Sequence, residues 1–258
     1  MKEKKEIIST VEEKELNAPN GLAVGILSVL VYIAAAVGVI PAAMALDNGN
    51  TAFGTVLMTI CVLWLCVGWI PFMGVKVIRP NEALVLTLFG KYTGTLKKEG
   101  IFFVNPFSIA VNPASAQKIA SGKNPQEATA PVGKKLSLKA MTLDNKKQKI
   151  NDRDGNPIEI SIVVIWKIAN TAKAVFNVDN YEEYVSIQSD SALRDVAGAY
   201  PYDGDGENVK SLRGSSAEIA GHLRDMLQSR VDDAGIEVIE ARITHLAYAP
   251  EIAAAMLQ

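Results

Sequence analysis

The chain has 258 residues, with 26 Lys and Arg against 28 Asp and Glu for a net charge of −2. Hydrophobic residues make up 49% and mean hydropathy is +0.16, so the chain is not disordered; with 19 Gly, 11 Pro and 2 Cys it is neither collagen-like nor disulfide-rich. The near-even charge balance gives no electrostatic reason to expect nucleic acid as a partner.

The averages conceal a steep partition. Residues 1–20 form a mixed-charge arm, and from Gly21 to Val75 the only charged residue is Asp47. Leu22–Leu46 and Ala52–Val75 each exceed the roughly 20 apolar residues that cross a hydrocarbon core, and 47–51 is the turn between them. The first run is also much longer than the core of a cleaved secretory signal. The turn carries no Lys or Arg, whereas the arm carries Lys2, Lys4, Lys5 and Lys14 and the far flank Lys76, Arg79 and Lys91. The positive-inside bias therefore predicts a cell-membrane protein with two spans and both termini cytoplasmic.

Pro41 and Pro71 are expected to kink the spans or mark their exits. Small residues four apart (Gly21–Gly25, Ala34–Gly38–Ala42) would let two helix backbones approach closely. Trp69 suits an interfacial anchor in contact with the bilayer. Cys61 and Cys66 fall on different faces of one helix, so they read as small apolar residues and not as a disulfide or a metal pair.

Lys76–Pro80 and Glu82–Phe89 are expected strands, followed by a polar, turn-rich stretch from Tyr92 to Glu99 and the apolar run Ile101–Val104. That run has two readings. It is a core strand, or Phe102, Phe103 and Phe107 press into the cytoplasmic leaflet as membrane contacts. Residues 112–133, rich in Ala, Pro, Ser, Gly and Lys, read as a linker or surface loop.

The clearest period-two pattern is Ile158, Ile160, Ile162, Val164, Trp166 and Ile168, one buried strand face. Lys146–Asn151 is its hairpin partner, turned at Asp152–Gly155. Asn180 and Glu183 suggest a capping box, with Tyr184, Ile187, Ser191, Leu193 and Val196 as the helical stripe and Pro201 ending the helix. A second helix runs from Ser216 to Asp233 with Ile219, Leu223, Met226 and Leu227 inward and Gly235 as its stop. Glu237–Leu246 is a strand with Ile239, Ala241 and Ile243 on one side, and Pro250 opens an Ala-rich helix. The fold class is α+β: a transmembrane helical hairpin, then small α+β layers.

In order, Val77–Val85, Phe89-Gly90-Lys91-Tyr92, Glu99–Phe107, Asn151–Ile158, Ala192-Leu193-Arg194, Tyr200–Asp203 and Ile236–Pro250 resemble the SPFH or band 7 family of stomatins, prohibitins and flotillins, prokaryotic-type. The resemblance implies a first SPFH-type subdomain at 76–111, membrane-proximal, a second at 134–249, and at 250–258 the start of a C-terminal helix that in the family extends into a coiled coil.

No catalytic constellation is evident. His222 and His245 lack ligand partners at metal spacing. Asp152, Asp154 and Asn156 resemble the start of a calcium loop, but Pro157 stands where that loop needs Gly and Val163 where it needs Glu. No nucleophile elbow or phosphate loop occurs. No cofactor and no enzymatic activity are expected. The resemblance implies a membrane scaffold, a homo-oligomer of many copies forming a ring or cage that organises a membrane microdomain. Its candidate oligomer contacts are Glu182, Arg194, Arg224 and Arg230. The alternative is a regulatory subunit binding a membrane protease, transporter or other membrane client; a membrane enzyme would require a buried polar cluster that the sequence does not display.

Overall fold

The computed structural model describes residues 12–114, 134–204 and 210–250. These fall into two compact units, one spanning Lys14–Val111 and the other running from Asn112 onward together with Glu12 and Glu13.

The first unit begins with α1 (Gly21–Asp47), capped by the Asn20 side chain, which accepts the Leu22 N–H at 3.0 Å. After a tight turn come α2 (Thr51–Val67) and the single helical turn α3 (Ile70–Met73). Pro71 sits in the first turn of α3, where its missing N–H leaves no bond unmade, so the second apolar run breaks at Gly68-Trp69, ahead of the proline. Small residues set the packing of α1 on α2. Gly38 lies against Cys61 Sγ, Ala42 is fully buried, Gly54 faces Leu46, and Tyr32 Oη donates to the Leu65 carbonyl at 3.4 Å. Cys61 is buried in this contact and Cys66 is exposed.

The rest of both helices is bare. Leu27, Leu30, Ile33 and Val37 on α1, and Val56, Ile60 and Leu63 on α2, are exposed apolar side chains. A core helix of a water-soluble protein is mostly buried. Here the most apolar stretch of the first helix has 0% of its residues buried and that of the second 11%. Burying one such side chain is worth about 1.5–3 kcal/mol, so this surface calls for an apolar solvent.

Five strands follow: β1 (Val75–Ile78), β2 (Glu82–Leu88), β3 (Lys91–Leu96), β4 (Gly100–Phe103) and β5 (Ile109–Ala110). β1 pairs antiparallel with β4, and β2 lies between β3 and β5. The core is Ile78, Leu84, Leu86, Leu96 and Val104. Pro80-Asn81-Glu82 makes the first turn, with Asn81 at φ +58 and the Glu82 carboxylate accepting the Arg79 N–H at 3.3 Å. The polar stretch from Tyr92, expected to be turn-rich, is instead strand β3. Its buried Thr95 hydroxyl is satisfied by Tyr92 Oη at 2.8 Å.

The second unit contains β6 (Leu136–Ser137), β7 (Met141–Asp144), β8 (Gln148–Asn151), β9 (Pro157–Ile168), α4 (Thr171–Phe176), α5 (Tyr181–Ala199), α6 (Ser216–Val231) and β10 (Ile236–Tyr248). β9 is central. β10 flanks one side along its length, while β7 and β8 share the other. All six residues of the expected β9 stripe are buried, and α5 packs against β8 and α6 against β10. Trp166 stacks edge-on against Tyr181, whose phenol is pushed up to about 12 by burial and the neighbouring Glu182 carboxylate.

Two inward faces differ from expectation. On α5 the buried positions are Tyr181, Val185, Ser189, Ala192, Leu193, Val196 and Ala197, and Ile187 points outward at 58% exposure. On β10 a bulge between Val238 and Glu240 shifts the register, so Val238 and Ala241 are buried and Ile239 is exposed. Asn180 caps α5 by accepting the Glu182 and Glu183 N–H groups at 3.0 and 3.3 Å. The helix expected after Pro250, most of the 112–133 linker and the N-terminal lysines up to Lys5 lie outside the described residues.

The β8–β9 turn is built on Asp152. Its buried carboxylate accepts N–H groups from Asp154 at 3.0 Å, Asn156 at 2.7 Å and Tyr202 at 3.1 Å, and the Asn156 amide at 3.2 Å. Burial pushes its pKa up, but these donors outweigh it and hold the group below the ordinary 3.8. A depressed folded-state pKa stabilises the fold above the unfolded value and is lost as pH falls through the folded one. Wild type is therefore expected to lose thermal stability between about pH 5 and pH 2 more steeply than Asp152→Asn, as read from melting curves at stepped pH. Equal slopes would show that Asp152 carries no such linkage.

Candidate functional site

Among the described residues no three His, Cys, Asp or Glu side chains gather where they could hold a metal ion. His222 Nδ1 lies 3.2 Å from Tyr200 Oη on an exposed surface, and His245 pairs with Ser161 within the sheet. In the first unit a cleft of about 170 Å³ between Glu15–Ala18 and Thr95–Lys98 is small for a substrate pocket. The features with functional shape are surfaces.

The first is where the chain leaves the apolar helices. The Gly74 carbonyl accepts the Val104 N–H at 2.8 Å, and a side chain at Gly74 would collide with the Val104 carbonyl and the Phe103 ring. That bond places the turn after β4 level with the end of α3. Asn105 shapes this turn, its side chain accepting the Phe107 N–H at 3.0 Å and its carbonyl the Ser108 N–H at 2.9 Å. Phe107 is thereby held out at 62% exposure, beside Ile109 at 61%. Across the sheet Ile109 pairs with Thr87, and continuing that antiparallel register brings Phe107 opposite Phe89. Phe89 is 89% exposed at φ +49, in a Phe89-Gly90 turn between β2 and β3.

The four expected membrane contacts thus divide. Trp69, 54% exposed, and Phe107 stand free, while Phe102 packs partly onto the core and Phe103 is half-buried against Gly74. Phe89 is not among the four expected membrane contacts. The available signal was a large apolar residue at a left-handed turn position, where local chemistry favours Asn or Asp.

The second surface is the outer face of α5 and α6. Arg230 is turned inward on its neighbours: it donates to Ser191 Oγ at 2.8 Å and pairs with Asp195, while Tyr184 Oη donates to the Arg230 carbonyl at 3.1 Å. Arg224 pairs with adjacent Asp225, and Arg194 Nε reaches Gln148 Oε1 at 3.4 Å. Glu182 lies in the first turn of α5, at the opposite end from Arg194. The four expected oligomer contacts are therefore spread over two helices and not gathered at one point. Beneath them Asp190 accepts Asn145 Nδ2 at 2.6 Å and Gln148 Nε2, fastening α5 to the β7–β8 side of the sheet.

Residues 76–258, from β1 onward, match the family described as SPFH domain / Band 7. The chain belongs to the SPFH / Band 7 family. The two apolar helices precede the matched SPFH region. The chain is 21% identical to stomatin of Mus musculus over 182 residues, covering 70% of this chain and 51% of stomatin. It is 23% identical to an uncharacterised protein of Methanothermobacter thermautotrophicus over 201 residues, 78% of this chain and 53% of that one. The chain thus spans about half the length of the curated relatives it matches. The SPFH region here is the mixed α+β arrangement of sheets and helices described above, joined to an N-terminal apolar helical pair.

Proposed function

We propose that this SPFH protein is a membrane-anchored scaffold that assembles with many copies of itself into a ring or cage and so organises a patch of bilayer. The observation that carries the reading is the construction of the first unit, in which the two bare apolar helices and the first SPFH subdomain form a single compact body. Such a body holds Phe89, Phe107 and Ile109 at the membrane exit, where they enter the cytoplasmic leaflet. The reading needs no catalytic step. Side-by-side contacts would use the outer face of α5 around exposed Ile187 and the open edge of β10 with exposed Ile239, one heterologous contact repeated until the ring closes.

The orientation has support of its own. Leu16 N–H donates to the Thr95 carbonyl at 3.0 Å and Thr95 N–H to the Lys14 carbonyl at 2.8 Å. These bonds support a reading in which the segment before α1 and the sheet after α3 share one side of the bilayer, and the flanking Lys and Arg residues favour the cytoplasmic side. With Cys61 and Cys66 replaced by Ala, Asn48→Cys is expected to react with a membrane-impermeant maleimide in intact cells. Glu15→Cys is expected to react only after permeabilisation. The reverse pattern would overturn the orientation.

A further inference from the structure

We infer that residues Lys14–Asn20 are a strap that latches the first subdomain shut from the other end of the membrane hairpin. The strap stitches two sheets. Through Lys14–Leu16 it lies parallel to β3, bridging Glu15 to Thr95, and Tyr92 Oη lies 3.3 Å from the Lys14 N–H. Through Pro19 and Asn20 it joins β4: the Pro19 carbonyl accepts the Phe103 N–H at 3.0 Å, and Asn20 bridges Phe102. Between these ends Leu16 and Ala18 pack onto the core formed by β1, β2, β3 and Val104.

Two glycines remote from each other in sequence make room for it. A Cβ on Gly94, at φ +153, would lie 3.0 Å from the Lys14 carbonyl oxygen and 3.2 Å from Leu16 Cβ. A Cβ on Gly21 would lie 2.5 Å from the Phe102 carbonyl carbon. β3 is otherwise an edge strand of its sheet, and an uncovered edge is a template for unwanted pairing. Docked, the strap covers that edge and fixes the start of α1 to β4. Lys14, Glu15, Asn17, Pro19 and Asn20 are exposed, so it opens more readily than the core beneath it. Release bares the β3 edge while leaving β2 in place.

The test is residue-resolved amide exchange on the full chain in lipid nanodiscs. Leu16→Asp is expected to speed exchange of the Thr95 and Phe103 amides by about tenfold or more, with Val85 and Leu86 in β2 unchanged. Gly94→Ala, which crowds the strap from the opposite side, is expected to give the same signature. In a Leu16→Asp background with Cys61 and Cys66 replaced, an oxidised Glu15→Cys/Thr95→Cys pair should restore slow exchange. Unchanged Thr95 and Phe103 exchange in both variants would overturn the latch. So would acceleration spreading equally to Val85 and Leu86, which would make the segment an ordinary part of the core.

Discussion

Gly235→Val is expected to unfold the second unit. Gly235 ends the short helical turn Asp232–Ala234 at φ +66, and its carbonyl accepts the Ala169 and Asn170 N–H groups at 3.0 and 2.9 Å. A Cβ there would collide with the Asn170 carbonyl oxygen and lie 2.8 Å from Lys173 Cβ. Left-handed strain costs a β-branched residue about 1–2 kcal/mol and forced overpacking about 1–3 more, a large share of the roughly 5–15 kcal/mol that holds a domain together. Gly155 is the internal control. It is also left-handed, at φ +86, but a Cβ on it meets nothing within 4 Å, so Gly155→Ala should cost only about 1 kcal/mol. Thermal melts followed by Trp166 fluorescence, with Trp64 and Trp69 replaced by Phe, separate the two. Equal melting temperatures for Gly235→Val and Gly155→Ala would contradict the packing around Gly235.

The proposed leaflet contact predicts that Phe89→Asp/Phe107→Asp lifts this end of the first unit out of the bilayer. Each Phe is worth about 1.5–3 kcal/mol when fully buried, and a carboxylate reverses the preference. The full chain carries a nitroxide at Ile109→Cys, with Cys61 and Cys66 replaced, in nanodiscs. The probe should report a lipid environment in the parent and an aqueous one in the double variant. A probe already aqueous in the parent would show that this turn does not touch lipid.

The extent to which these features were legible in the sequence follows from how local their causes are. The two apolar helices and the β9 stripe were plain because each writes its own period, continuous apolarity in one case and alternation in the other. The Asp152–Gly155 turn, the Asn180 cap and the Gly235 stop were legible for the same reason, since each satisfies its own backbone locally. β3 is hidden because Lys91-Tyr92-Thr93-Gly94-Thr95 shows no apolar alternation and carries a glycine, although Tyr and Thr themselves favour strands. Thr95 and Gly94 are buried by a strap from far earlier in the chain. Ile187 on α5 and Ile239 on β10 were misread as core because an apolar side chain on an amphipathic element is ordinarily inside. One is outward on its helix and the other is displaced by a bulge, and neither displacement is written in residue type. Of the expected membrane contacts, Trp69 and Phe107 are exposed, Phe102 packs partly onto the core and Phe103 is half-buried. That Phe89 stands opposite Phe107 is not legible in the sequence, because only the β2–β5 register brings the two together.

The most direct test of a self-assembling membrane scaffold is the mass of the particle extracted in mild detergent, measured by mass photometry on the full 27.7 kDa chain. A particle many times the mass of one chain plus its micelle, composed of this polypeptide alone, is the expected result. A detergent-bound single copy, or a fixed small complex with another protein, would contradict assembly by repetition.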